Sequence, residues 1–441
     1  MSSVDKGLDI VNFADLNSTS VRGGLLTILE QAFIQLDPLK LLDASVKEVL
    51  ADSRDFRNVY VIGFGKAALK MYRGVRGRTI SIARYSAIII PTGEAVPENY
   101  PELEILVGNH PIPSTETLSS SRKILGHLGN LSEDDLVIVL ISGGGSALFE
   151  IPEGGFTIKM IGDTAKCLME SGADINELNA IRQAMSSVKG GKLAKMLYPS
   201  EVYGLIISDV PGDDPAVIAS GPLTRPSLEP GFLGKVVEKY RETCMLPSKE
   251  ELERHFGNIE PGSFRHVTTR IILKNSDFVN LISTLISKNG DTVVTLADSV
   301  TGDVVDAAKW FAERMRKQFA VSRKPIWIVG GGETTAKVRG NGKGGRNCEL
   351  SLRVAMNMES DEDFLFASIG TDGIDGASPA MGGITDNYFL EGLGKDEIFN
   401  SLAISDSYTL LNKYNSAIIT GYTGTNVSDI YIAYYGGKRN K

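Results

Sequence analysis

Three glycine-rich segments stand where apolar runs end, each beside a residue that can bind or neutralise an oxyanion. In Val61-Ile62-Gly63-Phe64-Gly65-Lys66-Ala67-Ala68 the order is apolar run, glycine turn, helix start. That order aims backbone N–H groups at an anion, with Lys66 in the turn. The same residues match the dinucleotide pattern G-x-G-x-x-A. However, lysine occupies the turn, and the next apolar run, 86–90, closes on Pro91-Thr92-Gly93 rather than on the acidic residue a ribose needs. A phosphate or carboxylate suits the turn better. Ser142-Gly143-Gly144-Gly145-Ser146-Ala147 follows the run 136–141. Its glycines let the backbone fold around an oxyanion, and Ser146 can cap a helix or bond a ligand oxygen. The third segment, Gly330-Gly331-Gly332-Glu333-Thr334-Thr335, is followed by Gly344-Gly345-Arg346-Asn347. It reads as a glycine loop leading into a helix whose first turn carries Arg346, placed to clamp a phosphate bidentately with the helix dipole behind it.

Acidic residues stand at other strand ends: Asp209 in Ser208-Asp209-Val210-Pro211, and Asp372 and Asp375 in Thr371-Asp372-Gly373-Ile374-Asp375. Carboxylates there can hold Mg²⁺ against phosphates or take the proton of an attacking hydroxyl, although Asp beside Gly is also a common turn residue. His110, in Asn109-His110-Pro111, reads equally as a positioning group or as a hydrogen-bonded loop histidine. Arg182, Lys189, Lys192 and Lys195 fall on a helix read over 176–198. Such a set is most often a solvated face, with anion attraction as the lesser reading. No G-x-x-x-x-G-K-[ST] loop, G-x-S-x-G elbow or His/Cys/Asp metal spacing occurs, which disfavours P-loop, serine-hydrolase and zinc chemistry.

The elements that must position these residues read as α/β. Leu25, Ile28, Leu29, Ala32, Phe33 and Leu36 share one helical face, and Pro38 starts a second helix reaching about Leu50. Val/Ile/Leu runs at 58–65, 86–93, 103–111, 135–145 and 202–212 lack alternation, the mark of strands covered on both faces, and helices separate several of them. The pattern weakens over 222–264, then resumes with runs at 270–276, 291–298, 325–335, 364–376 and 416–436 and helices at 302–319 and 345–357. A length of 441 residues exceeds one ordinary core, so two domains are expected, 1–260 and 261–441.

The composition is that of a globular protein, 42% hydrophobic and 23% charged, and a net charge of −8 argues against nucleic-acid or membrane surfaces. The three cysteines, Cys167, Cys244 and Cys348, form no CxxC, so no disulfide and a reducing compartment are expected. Residues 1–12 lack the apolar stretch of a signal peptide, and no run is long enough to span a bilayer. A cytoplasmic protein is expected.

GFGKAA (63–68), GNHPIPS (108–114), LISGGGSAL (140–148), AIRQAMSSVKGGKLA (180–194), ISDVPGDDPAVIASGPL (207–223), GGETT (331–335), GGRNCEL (344–350), GTDGIDG (370–376) and TGYTGTN (420–426) resemble, in this order, the glycerate 2-kinase family with its C-terminal MOFRL domain. The likeness runs through nearly the whole chain; the local departure is Arg182-Gln183-Ala184. The resemblance implies a Rossmann-like, mostly parallel N-terminal domain, a smaller C-terminal α/β domain and a site in the cleft between them. It implies divalent-metal-assisted transfer of the γ-phosphoryl of ATP, with Mg²⁺ or a similar cation, to D-glycerate, giving 2-phosphoglycerate. Lys66 and Arg346 match the family's catalytic residues, with Asp209 as a further candidate. Gly63, Gly65, Ser142, Gly143, Gly144, Gly145, Ser146, Lys189, Gly331, Gly332, Glu333 and Thr334 are the expected substrate and nucleotide contacts, and Asp209, Asp372 and Asp375 the expected metal ligands. A nicotinamide-dependent hydroxy-acid dehydrogenase and a non-catalytic sugar-phosphate-binding protein are the rivals, and a homodimer is left open.

Overall fold

The computed structural model describes residues 8–51, 55–96, 98–226, 229, 231–256 and 264–439. Contacts divide the chain into two compact units, Pro38–Leu273 on one side and Met1–Asp37 with Lys274–Lys441 on the other. This division differs from the single cut expected between 260 and 261. The reason lies in the helix Ser20–Gln35, whose buried Phe33 ring packs 4.7 Å from that of Phe278. Its Arg22, also buried, donates from Nε to Asp386 at 2.6 Å and from Nη1 to the Asn415 carbonyl at 3.0 Å.

In Pro38–Leu273 the apolar runs form one six-stranded sheet of β1 (Asn58–Phe64), β2 (Ala83–Pro91), β3 (Glu104–Gly108), β4 (Asp135–Ile141), β5 (Glu201–Ile207) and β6 (Val267–Leu273). The spatial order is β3-β2-β1-β4-β5-β6, and every pairing is parallel. All seven residues of β4 are buried, as a strand covered on both faces demands. One helix read over 176–198 is two, Ile175–Met185 and Lys192–Leu197, because Gly190 and Gly191 take left-handed φ of 59° and 82°. A helical cluster around Leu168, Ile181, Val236 and Leu252 brings Cys167 and Cys244 together as a disulfide. The expectation of unpaired cysteines is overturned: the partners lie 77 residues apart, and only helix packing makes them neighbours.

The second unit carries a mixed sheet of seven strands: β7 (Thr292–Thr295), β8 (Val300–Asp303), β9 (Ile326–Thr335), β10 (Glu362–Gly370), β11 (Gly382–Asp386), β12 (Ala417–Ile418) and β13 (Asp429–Lys438). β13 lies antiparallel between β10 and β9, while β7 and β8 run parallel to β9. Ile326 and Ile328 pack with Phe311 of the Val304–Ser322 helix and Leu350 of the Arg346–Met356 helix. Among the described residues no helix is long and apolar enough to cross a membrane.

Candidate active site

In the parallel sheet, chain order runs outward from β1 to β3 on one side and from β4 to β6 on the other. Such a reversal opens a crevice beyond the carboxyl ends of the two central strands. β1 and β4 pair to their last residues, Phe64 opposite Ile141, so the Lys66 turn and the Ser142–Ser146 segment leave side by side. The turn is closed onto its neighbour. Gly65 N–H donates to the Ile89 carbonyl (3.3 Å), Lys66 N–H to the Gly143 carbonyl (2.8 Å) and Ala67 N–H to Ser142 Oγ (3.0 Å). The expected amide cradle at this turn is therefore spent inside the protein. What the turn offers is the exposed Lys66 side chain, which has no partner among the described residues.

Glycine is obligatory where these loops meet. Gly65 has φ +130°, and a Cβ there would fall 2.2 Å from Ser142 Oγ. A Cβ on Gly143 would lie 1.9 Å from Asp209 Oδ2, so the Asp209 carboxylate, carried past the end of β5, rests on this glycine. Above Gly144 sit the His110 ring and the Lys66 stem, 3.0 and 3.4 Å from where its Cβ would be. Ser146 Oγ meets Ser220 Oγ at 2.9 Å, and Ser220 donates to Asn179. Ala219 and Ser220 hold φ of 51° and 61°, a left-handed pair of non-glycine residues of the kind that collects at functional sites. Lys66, His110, Asp209 and Ser142–Ser146 thus gather at one end of the sheet, as their positions after strands suggest.

The basic set is not a solvated face. Only Lys195 is exposed. Lys189 is buried, its Nζ donating to the Phe149 carbonyl (2.9 Å) and to Glu150 (2.6 Å), so it is committed internally rather than presented to a ligand. Lys192 Nζ donates to the Gln183 and Ser186 carbonyls and lies 3.3 Å from Glu153. Burial pulls the pKa of Arg182, Lys189 and Lys192 down, with Glu150 opposing in each case. His110 keeps an exposed edge, yet desolvation first, then the charges of Lys66 and Arg182, push its imidazolium down to about 4.

In the other unit Arg346 opens its helix and lies against Asp429, donating from Nε at 2.6 Å and from Nη2 at 3.0 Å, with Nη1 on Glu333 at 2.6 Å. Asn347 adds a 3.0 Å bond to the same Asp429 oxygen that Nη2 uses. Burial raises the Asp429 carboxyl to about 6 against these donors, which leaves it ionised at neutral pH. Asp429 escaped the sequence reading; its signal would have been a lone acid opening the apolar run Ile430–Ala433, which alone does not point to Arg346. Asp375 accepts the Asn347 and Cys348 amides at 3.0 and 2.7 Å. It caps the helix N-terminus, so the amides expected to face phosphate are taken and its carboxylate is not aimed at a metal. The glycines at 330–332 are not a loop. They lie inside β9, where Cβ atoms would strike Leu296, Asn275 and the Val300 backbone. Thr334 is buried, its amide on Tyr431 Oη, and Glu333 is paired with Arg346.

Among the described residues no group of three or more His, Cys, Asp or Glu side chains could hold a metal ion. Two further acids follow strand ends: Asp209 lies against Gly143, and Asp372 accepts the Ile374 amide at 3.2 Å through Oδ1. Mg²⁺ needs one or two protein carboxylates when phosphates and water complete its shell, so either acid by itself suits a metal that arrives with phosphates better than one held in a protein cage.

Family models match residues 24–252, described as a domain of unknown function (DUF4147), and 326–429, described as the MOFRL family. A glycerate 2-kinase of Picrophilus torridus is 43% identical over 97% of this chain and all of its own length. A putative hydroxypyruvate reductase of Agrobacterium vitis is 34% identical over 84% of this chain and 97% of its own. The crystal structure of a glycerate kinase from Thermotoga maritima superposes with a TM-score of 0.82 at 32% identity, covering 94% of this chain and 99% of that one. With matching models in both units and full-length likeness to such enzymes, the chain belongs to the glycerate 2-kinase family.

Proposed function

We propose that this enzyme phosphorylates glycerate, using ATP as donor and the 2-hydroxyl of D-glycerate as acceptor. The observation that carries the reading is the exposed Lys66 ammonium at the sheet's switch point, beside the Ser142–Ser146 turn and without a partner among the described residues. Phosphoryl transfer asks the protein for positioning and charge neutralisation more than for covalent chemistry. The hydroxyl oxygen attacks the γ-phosphorus, the bond to the β–γ bridging oxygen breaks, and ADP leaves. Lys66 offsets charge on the transferring group. Asp209, fixed against Gly143, accepts the hydroxyl proton. Arg346, its Nε–Nη2 edge held by Asp429 and its Nη1 by Glu333, binds phosphoryl oxygens through the one remaining N–H on each of Nη1 and Nη2. A divalent ion, held by Asp209 or Asp372 together with the phosphates, would supply further charge neutralisation.

Incubation with ATP, Mg²⁺ and D-glycerate should yield 2-phosphoglycerate, identified by isomer-resolving NMR. Lys66→Ala and Arg346→Ala should each lower kcat by about 10²–10³-fold. Full turnover in either variant removes that residue from the scheme.

The relative named as a putative hydroxypyruvate reductase favours a second, nicotinamide-dependent reading. Against it stands the glycine turn, whose Gly65, Lys66 and Ala67 amides are spent internally and leave no cradle for a pyrophosphate. NADH or NADPH oxidation on adding hydroxypyruvate, without ATP turnover on glycerate, would select the reductase.

A further inference from the structure

A hydroxyl carries one hydrogen and two lone pairs, so once its hydrogen is committed it can only accept from whatever else it meets. A chain of fixed partners commits the hydrogen of Ser146. On the Ile175–Met185 helix, buried Asn179 donates from Nδ2 to the Val217 carbonyl at 3.0 Å, which fixes the orientation of its amide. Asn179 Oδ1 has no hydrogen, so its 2.8 Å contact with the buried Ser220 hydroxyl uses the hydrogen of Ser220. The 2.9 Å contact between Ser220 Oγ and Ser146 Oγ must then use the hydrogen of Ser146. The relay is braced from the same helix. Gln183, one turn after Asn179, donates from Nε2 to the Ala216 and Ser220 carbonyls at 3.3 and 3.2 Å, and Ser220 holds its left-handed φ of 61° between them. Ser146 is half-buried and ends the turn whose Gly143 carries Asp209 and whose Gly144 lies under His110 and the Lys66 stem. To a ligand at this end of the sheet its oxygen therefore offers lone pairs and no hydrogen.

We propose that Ser146 accepts a hydrogen bond from the terminal hydroxyl of the substrate, and that Asn179 is the positioning residue that enforces this polarity through Ser220. Ionised phosphate and carboxylate oxygens bring no hydrogen and are disfavoured at this oxygen, whereas a hydroxyl fits it. With the attacking hydroxyl given to Asp209, the terminal hydroxyl of glycerate is the one left to recognise. The assignment rests on the reading of the substrate as glycerate, and its test separates the two. Calorimetric titrations of the full-length enzyme, Ser146→Ala, Asn179→Ala and Asn179→Asp would use D-glycerate, D-lactate (a methyl in place of the terminal hydroxymethyl) and ATP in turn. The unaltered enzyme should bind D-glycerate about 10- to 100-fold more tightly than D-lactate. That ratio should fall to about threefold or less in Ser146→Ala and Asn179→Ala, because the oxygen is lost in one and free to reorient in the other. Asn179→Asp, whose carboxyl keeps an oxygen for Ser220, should retain the ratio, and ATP affinity should stay within about twofold throughout. A general loosening of the site would weaken both acids alike and leave the ratio unchanged. Circular dichroism and Tm establish that each variant is folded; should Asn179→Ala fail to fold, Ser220→Ala removes the acceptor of the Ser146 hydrogen and decides by the same criterion. A ratio near unity in the unaltered enzyme overturns the proposal, as does an undiminished ratio in Ser146→Ala or Asn179→Ala, or one lost as fully in Asn179→Asp. So does a loss falling on ATP, which would make Ser146 a donor to phosphate. A ratio that depends on Ser146 and Asn179 in an enzyme that consumes no ATP would sink the kinase reading and leave the hydroxyl site standing.

Discussion

His110 illustrates how neighbours decide what a residue does. Its ordinary value is 6.5, and burial with the Lys66 and Arg182 charges brings it to about 4. A base whose folded value lies below its ordinary one stays neutral through the neutral range, and the stability tied to that neutral form is lost as pH falls from about 6.5 towards 4. An anionic substrate held beside Lys66 would offset these charges and let the ring take up a proton. Glycerate affinity should accordingly tighten as pH falls from 7 to 5, and His110→Asn should flatten that slope; an equal slope in both proteins in calorimetric titrations would refute the linkage. The sequence points to Lys66, Asp209 and the Ser142–Ser146 turn because each follows an apolar run. It hides Asp429, whose value lies in a pairing with Arg346 across 83 residues. It also misleads on Asp375, since an aspartate beside glycine looks the same whether it caps a helix or holds a metal.

Elements follow the same logic one level up. β1, β2, β4 and β5 are legible because each carries a stretch rich in Val, Ile and Leu that is buried on both faces. β8 and β11, four and five residues long, carry Thr, Gly and Asp and give no such signal. Glycine is ambiguous in itself: at 330–332 it admits crossing neighbours into a strand, while at 143 it lets a carboxylate approach a backbone. The second use is testable. Gly143→Ala places a methyl where Asp209 Oδ2 now lies, so Asp209 must swing away. The variant should lose at least about tenfold in kcat and about 1–3 kcal/mol of stability. Gly155→Ala, with open space around its Cβ position, should stay within about 0.5 kcal/mol and keep full activity. Normal turnover of Gly143→Ala with glycerate would remove Asp209's placement from the mechanism.

At the scale of the molecule, the chain begins in one unit, builds the six-stranded sheet as the other, and returns to finish the first. Helical periodicity reveals that Ser20–Gln35 has an apolar face but not which core covers it, so a cut at 260 follows naturally from sequence and misassigns the opening segment. The assignment depends on a polar residue that looks expendable in a helix. Arg22 and Asp386 are each 4% exposed in their side chains, and the guanidinium also reaches the Asn415 carbonyl and Ser416. Replacing Arg22 by Met keeps helix propensity and most of the volume but leaves the Asp386 carboxylate buried without its cation. Breaking a buried pair from one side costs about 3–5 kcal/mol. Arg22→Met should therefore lower denaturant stability by about that amount in the transition that reports on the mixed sheet. Asp386→Asn in the same background should restore part of it, because the neutral amide removes the stranded charge and still accepts from Phe389 N–H, the bond that Asp386 makes as a helix cap. A loss under about 0.5 kcal/mol in Arg22→Met, followed by unfolding of that sheet, would mean that the N-terminal helix is only laid on the unit, not built into it.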